Sequence, residues 1–190
     1  MKVGIYGGTF DPVHIGHLLV AQAAIEELGL DRLFFVPAAQ SPFKTENETA
    51  PAPIRVKLLR LALAGRIDCE IDEQEIRRSG VSYAIETVRD YASRFQGAKL
   101  FYLIGADNVS KLNEWRDAST LASLAEFAAV PRPGAAPVQF PSPFRGRMLK
   151  GFPLEISSSQ IRARIKANRP IDLFVPPAVG EAICNYRLYL

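Results

Sequence analysis

The chain is poor in the residues that build disulfide frameworks and zinc sites, with 2 cysteines and 2 histidines among 190 residues. Cys69 and Cys184 lie far apart in sequence and read as reduced structural thiols. No cysteine or histidine spacing of the zinc type occurs, so no protein-held metal is expected. No apolar run approaches the roughly 18 residues of a membrane span. No basic stretch followed by an apolar core opens the sequence, so no signal peptide is expected and cytoplasmic residence is the default. Charge is nearly balanced, 23 basic against 20 acidic residues for a net of +3, which is too mild to point to nucleic acid. G-x-G-x-x-G, the dinucleotide fingerprint of dehydrogenases, is absent as well. Repeats, low-complexity tracts and a domain linker are also missing, and 48% of the residues are hydrophobic. Residues 1–190 therefore read as one ordered domain with a sizeable core.

The most informative segment present is Gly7-Gly8-Thr9-Phe10-Asp11-Pro12-Val13-His14-Ile15-Gly16-His17. It follows the apolar run Val3–Tyr6 and precedes a helix-like run ending at Leu28, closed by Gly29. The pattern is strand, Gly-rich turn, helix. Such a turn presents backbone N–H groups beside the positive end of a helix, a natural place for phosphate. His14 and His17 add side-chain donors at the same mouth, sharing one face if both sit on the first helical turn. Taken alone, such a turn is also compatible with two capping or surface histidines.

Strand and helix signals alternate downstream. Arg32–Pro37, Ile67–Ile71, Lys99–Ile104 and Glu126–Val130 read as strands, and Ala52–Ala64 as a helix stopped by Gly65. Ser82 is a candidate cap for a helix running to about Phe95. Glu155–Arg162 begins with cap residues and enters a helix to about Ala167, and Pro176-Pro177 opens a last helix, Ala178–Tyr186. Continuous apolar strands alternating with helices predict an α/β fold: a Rossmann-like, doubly wound parallel sheet with helices on both faces and a small C-terminal helical part. Ligands in such folds bind at the carboxyl ends of strands. Three motif segments follow strand ends: Gly7–His17, Pro37–Lys44 and Gly105–Asp107. Ala38–Pro53 and Arg132–Pro143 read as loops, the first a candidate lid and the second a surface excursion. Two basic groups, one of Arg162, Arg164, Lys166 and Arg169 and one of Arg145, Arg147 and Lys150, fit either a polyphosphate ligand or a solvated surface. Ser157-Ser158-Ser159 reads either as plain capping or as a phosphate donor. Trp115, the only tryptophan, is read alone as a core residue or as a stacking surface.

The turn resembles the H-x-G-H signature of the nucleotidylyltransferase superfamily, and its full wording resembles the bacterial nicotinate-nucleotide adenylyltransferases of NAD biosynthesis. I-S-S-S-Q-I-R from Ile156 resembles the second signature of that family. The resemblance implies an ATP-binding set of Gly7, Gly8, Thr9, Phe10, His14, His17, Gly105, Asp107, Ile156, Ser158 and Arg162. Leu103-Ile104-Gly105-Ala106-Asp107 with Trp115 resembles the family's G-A-D and downstream tryptophan. Gly80–Thr87 resembles its S-Y-T-I-D-T region, with Ala84 and Glu86 in place of threonine and aspartate. Ser41-Pro42-Phe43-Lys44 resembles a P-P-H-K segment, with Phe43 where histidine is frequent. By matched position, Lys44, Tyr83, Thr87 and Trp115 would bind nicotinate mononucleotide. His14, His17, Lys44 and Arg162 would be catalytic, stabilising charge rather than acting as nucleophile or base. Arg55 and Arg132 are further candidates for positive charge.

The resemblance implies adenylyl transfer from ATP to nicotinate mononucleotide, with Mg2+ accompanying ATP and held mostly by substrate oxygens and water. Asp11 reads as a brace of the turn rather than a metal ligand. The partners are the two small-molecule substrates, with neither nucleic acid nor membrane, and a homo-oligomer is left open. Nicotinamide mononucleotide or phosphopantetheine as acceptor is the nearest alternative, and a nucleotide-binding regulator without turnover is an alternative of another class.

Overall fold

The computed structural model describes residues 1–40, 49–131, 139–152 and 154–190. Strands β1 (Lys2–Gly8), β2 (Arg32–Pro37), β3 (Cys69–Ile71), β4 (Lys99–Gly105), β5 (Glu126–Val130) and β6 (Gly146–Met148) form one parallel sheet in the order β3-β2-β1-β4-β5-β6. That order places the reversal of winding between β1 and β4, where doubly wound folds bind ligands. The helices are α1 (Ile15–Leu28), α2 (Ala52–Ala62), α3 (Gln74–Arg78), α4 (Ala84–Arg94), α5 (Ala118–Leu124), α6 (Ser158–Lys166) and α7 (Pro177–Asn185). A 3-10 helix over Ala106–Glu114 follows β4.

Strand residues alternate between two cores, as the pleat requires. Leu33, Phe35, Phe101 and Leu103 face one core, shared with α1, α2, Ile161 of α6 and Val179 of α7. Phe34, Val36, Leu100, Tyr102 and Ile104 face the other, shared with α4, the 3-10 helix and Leu121 of α5. Because both faces are covered, the strands are apolar almost throughout. The C-terminal helices α6 and α7 are thus part of the layer that holds α1 and α2, not an appendage.

Several expectations are corrected in detail. The strand expected from Ile67 begins at Cys69, and Ile67 is fully exposed. Ser82 does not cap α4: the N-cap is Tyr83, and the Ser82 hydroxyl accepts from the Ala39 amide at 3.0 Å. Strand β6 lies beyond the expected loop and is not among the expected strands; it pairs with β5 through Phe127, Ala128 and Ala129. No helix among the described residues is long and apolar enough to cross a membrane.

Candidate active site

The turn after β1 sits at the switch point of the sheet. Gly8 is required there by packing: a Cβ on it would lie 2.9 Å from the Phe10 ring. Phe10 has φ of 49°, unusual for a side chain of its size, and is buried against Tyr6 and Phe35. It supports the turn from below and does not line the pocket. His14 is the N-cap residue of α1 and His17 stands three residues on. The His14 amide donates to His17 Nδ1 at 3.2 Å, so in the neutral ring the proton resides on Nε2. The two imidazoles lie face to face but tilted, with centroids 3.7 Å apart and planes 33° from parallel. Gly16 makes room for this: its Cβ would come within 3.0 Å of the His14 ring. His14 is buried, its Nδ1 has no hydrogen-bond partner, and burial pushes its pKa down to about 4.

A second helix start meets the first. Ser157 caps α6 through a capping box with Gln160: its hydroxyl accepts from the Gln160 amide at 3.2 Å, and its own amide donates to Gln160 Oε1 at 2.8 Å. Ser158 Oγ donates to the Pro12 carbonyl at 2.9 Å, and Arg162 Nη1 donates to the Asp11 carbonyl at 2.7 Å. Ile156 lies alongside Gly16. Two positive helix ends, two imidazoles and one guanidinium therefore converge on one turn. The basic group on α6 divides, since Arg164 turns away to the Pro170 carbonyl and the Phe174 ring.

Across β4 opens a cavity of about 360 Å3, reached by Gly7, Gly8, Thr9 and Gly105 on one side. Tyr83, Ala84 and Ile85 bring the start of α4 to it, and Trp115 forms a wall, edge-on to Tyr102 and Phe127. Trp115 Nε1 is buried without a hydrogen-bond partner. Arg116 lies over the Tyr83 ring, 4.6 Å from its centroid. Asp107 is exposed on the 3-10 helix beside Gly105. Thr87 is wholly buried behind the cavity, its hydroxyl donating to Glu75. Glu75 itself reaches the cavity wall, and burial raises its pKa. Lys44, Phe43 and Arg132 lie outside the described residues.

Arg55 is not a phosphate-facing cation. It is buried in α2, and its guanidinium donates to the carbonyls of Ala50, Thr9, Ala38 and Ala39, tying the ends of β1 and β2 together. Its place among Val56, Leu58 and Leu59 on the buried face of α2 was the available sequence signal. Tyr189, whose hydroxyl donates to Asp11 Oδ1 at 2.7 Å, and Glu75 carried no local signal of this kind.

Residues 5–164 match the family described as cytidylyltransferase-like. A protein of Opitutus terrae named "Probable nicotinate-nucleotide adenylyltransferase" is 41% identical over 192 residues, covering 100% of this chain and 98% of the relative. A Bacillus licheniformis protein of the same name is 36% identical over 188 residues, covering 99% of this chain and 98% of its own length. The solved structure of Plasmodium falciparum nicotinic acid mononucleotide adenylyltransferase complexed with NaAD matches with a TM-score of 0.80 at 16% identity, covering 99% of this chain and 97% of that one. At that identity the likeness is one of fold.

Proposed function

The chain belongs to the cytidylyltransferase-like family and, within it, to the nicotinate-nucleotide adenylyltransferases, and from this premise we propose how its residues carry the transfer. The reaction moves the adenylyl group of ATP onto the phosphate of nicotinate mononucleotide, giving deamido-NAD and pyrophosphate. The observation that carries the assignment of roles is the convergence of the α1 and α6 starts, His14, His17 and Arg162 at the end of β1, with an aromatic-walled cavity directly across β4.

The ATP phosphates lie against the Gly7-Gly8-Thr9 backbone, His14, His17, Ser158 and Arg162, and by matched position Lys44, outside the described residues, is assigned to the same phosphates. Ile156 closes this side, and Gly105 and Asp107 border the ribose. Nicotinate mononucleotide occupies the cavity. Its ring lies on Trp115 with Tyr83 as a wall, and its carboxylate faces the N–H groups at the start of α4. Phe10 and Thr87 shape the two subsites from behind.

The acceptor phosphate attacks the α-phosphorus in line, and the P–O bond to pyrophosphate breaks. The protein holds both phosphates in register and stabilises the charge that moves onto the leaving group; no covalent enzyme intermediate is required. His17 donates from Nε2, and His14 enters the reaction neutral at neutral pH. No three His, Cys, Asp or Glu side chains gather as a metal site among the described residues. Mg2+ would accompany the ATP substrate, held by phosphate oxygens and water. Residues 1–190 act as one nucleotidylyltransferase unit.

The test is pyrophosphate release from MgATP with nicotinate mononucleotide, nicotinamide mononucleotide and phosphopantetheine offered separately. Strong preference for the first is expected. Preference for either of the others keeps the phosphate site and overturns the assignment of the α4 start to a carboxylate. Absence of release from folded, ATP-binding protein overturns the catalytic assignment.

A further inference from the structure

Beneath the nucleotide turn lies a buried charged cluster that the reaction scheme leaves unexplained. Asp11 is fully buried. Its Oδ1 accepts from the Tyr189 hydroxyl at 2.7 Å and from the Ala50 amide at 3.1 Å. Its Oδ2 has no hydrogen-bond partner and stands 3.7 Å from Arg162 Nη1. A buried carboxylate oxygen left this way is costly, and the natural remedy is a bidentate pair with a guanidinium.

Two guanidiniums are near enough to supply one. Arg55 commits its donors to four carbonyls and is held in place by them. Arg162, on α6, is less committed: it is partly exposed, with 21% of its side-chain surface open, and among the described residues it has one hydrogen bond, from Nη1 to the Asp11 carbonyl. If Asp11 captured it in a fork-to-fork pair, Arg162 would be drawn down from the turn. Oδ1 is occupied: the Tyr189 hydroxyl is its shorter partner at 2.7 Å and the Ala50 amide its longer one at 3.1 Å. Arg162 therefore meets only the other end of the carboxylate, beyond hydrogen-bond distance.

We infer that Tyr189 is a positioning residue for the transfer: by holding Asp11 Oδ1 it keeps Asp11 from capturing Arg162 and leaves that guanidinium available to the ATP phosphates. Burial and the adjoining carboxylate keep the Tyr189 hydroxyl protonated, so it remains a donor across the working pH range. The inference rests on the assignment of Arg162 to phosphate, and the experiment separates the two.

The experiment measures KM and kcat for ATP, and Kd for ATP by calorimetry, in Tyr189→Phe, Arg162→Gln and the double variant, with thermal melts as a fold control. Tyr189→Phe is expected to raise KM and Kd for ATP about tenfold, the size of one weakened charge-assisted contact, with a smaller effect on kcat. In the Arg162→Gln background the same change is expected to have no further effect on ATP binding. Equal losses in both backgrounds mean that Tyr189 is merely structural and overturn the proposal. Unchanged ATP binding in Arg162→Gln alone overturns the phosphate assignment itself. Asp11→Asn is the second probe: it retains an oxygen for Tyr189 but lacks the charge that captures Arg162. Tyr189→Phe is therefore expected to leave ATP affinity unchanged in that background, and a tenfold loss there refutes the capture.

Discussion

Lowering the pH should destabilise this protein through a single imidazole. His14 is 5% exposed, its Nδ1 has no partner, and its pKa is pushed down from 6.5 to about 4 by burial. The unfolded chain takes up a proton near 6.5, while the folded protein resists it until about 4. Between those values the unfolded state binds more protons, so stability falls as pH falls. Each pH unit of that gap corresponds to about 1.4 kcal/mol, giving about 3 kcal/mol over the whole interval. That is a large share of the roughly 5–15 kcal/mol that holds a domain together. The assay is urea unfolding of wild type and His14→Gln at constant ionic strength, from neutral pH to about 4. Carboxylates contribute to acid unfolding in both proteins alike, so the difference between the two profiles isolates the imidazole. The wild type should lose about 3 kcal/mol more than the variant, and an NMR titration should place the His14 ring well below 6.5. Parallel profiles would refute the reasoning. ATP should reverse the effect, since a triphosphate beside the ring favours its charged form. Binding should then take up protons within the same window.

Three further outcomes follow from the site. His17→Ala should lower kcat by about 10²–10³ with an unchanged thermal melt, because a donor aimed at developing charge is lost; near-normal turnover in folded protein removes His17 from the mechanism. Trp115→Ala should raise KM for nicotinate mononucleotide about tenfold, through lost stacking and contact area, while KM for ATP stays put; equal rises in the two would place the ring elsewhere. Thr87→Val removes the hydroxyl that donates to Glu75 and should cost about 1–3 kcal/mol of stability in urea titrations, with KM for ATP unaffected.

Much of this architecture was legible because the sheet is buried on both faces. Runs such as Arg32–Pro37 and Glu126–Val130 are uninterrupted, the first ending in proline and the second followed by Pro131, and their observed bounds match those expected. Helix α1 begins at Ile15 and ends where Gly29 takes φ of 62°, which its glycine announced. Strand β6 was hidden because Gly146, Arg147 and Met148 are exposed or half-exposed and form no apolar run; only its register on β5 defines it. The segment after Gly105 is a 3-10 helix whose composition, A-D-N-V-S-K-L-N-E, gives three buried residues, Ala106, Val109 and Leu112, only two of them large enough to stand out as an apolar pattern. The turn itself was readable as a motif, since its glycines and histidines all lie within one run from Gly7 to His17. Its foundations were not: Arg55 was read as a candidate positive charge for the ligand, and the Tyr189 contact joins positions that no local pattern connects.

That contact spans 178 positions, and the one from Arg162 to Asp11 spans 151. Every strand of the sheet, by contrast, has been synthesised by Met148. Contacts between such distant positions close the longest loops in the chain and carry the largest closure entropy. A growing chain on the ribosome can thus complete its sheet while the nucleotide turn still lacks α6 and the clasp from residue 189. The contacts that complete the nucleotide turn therefore depend on a part of the chain made after the sheet.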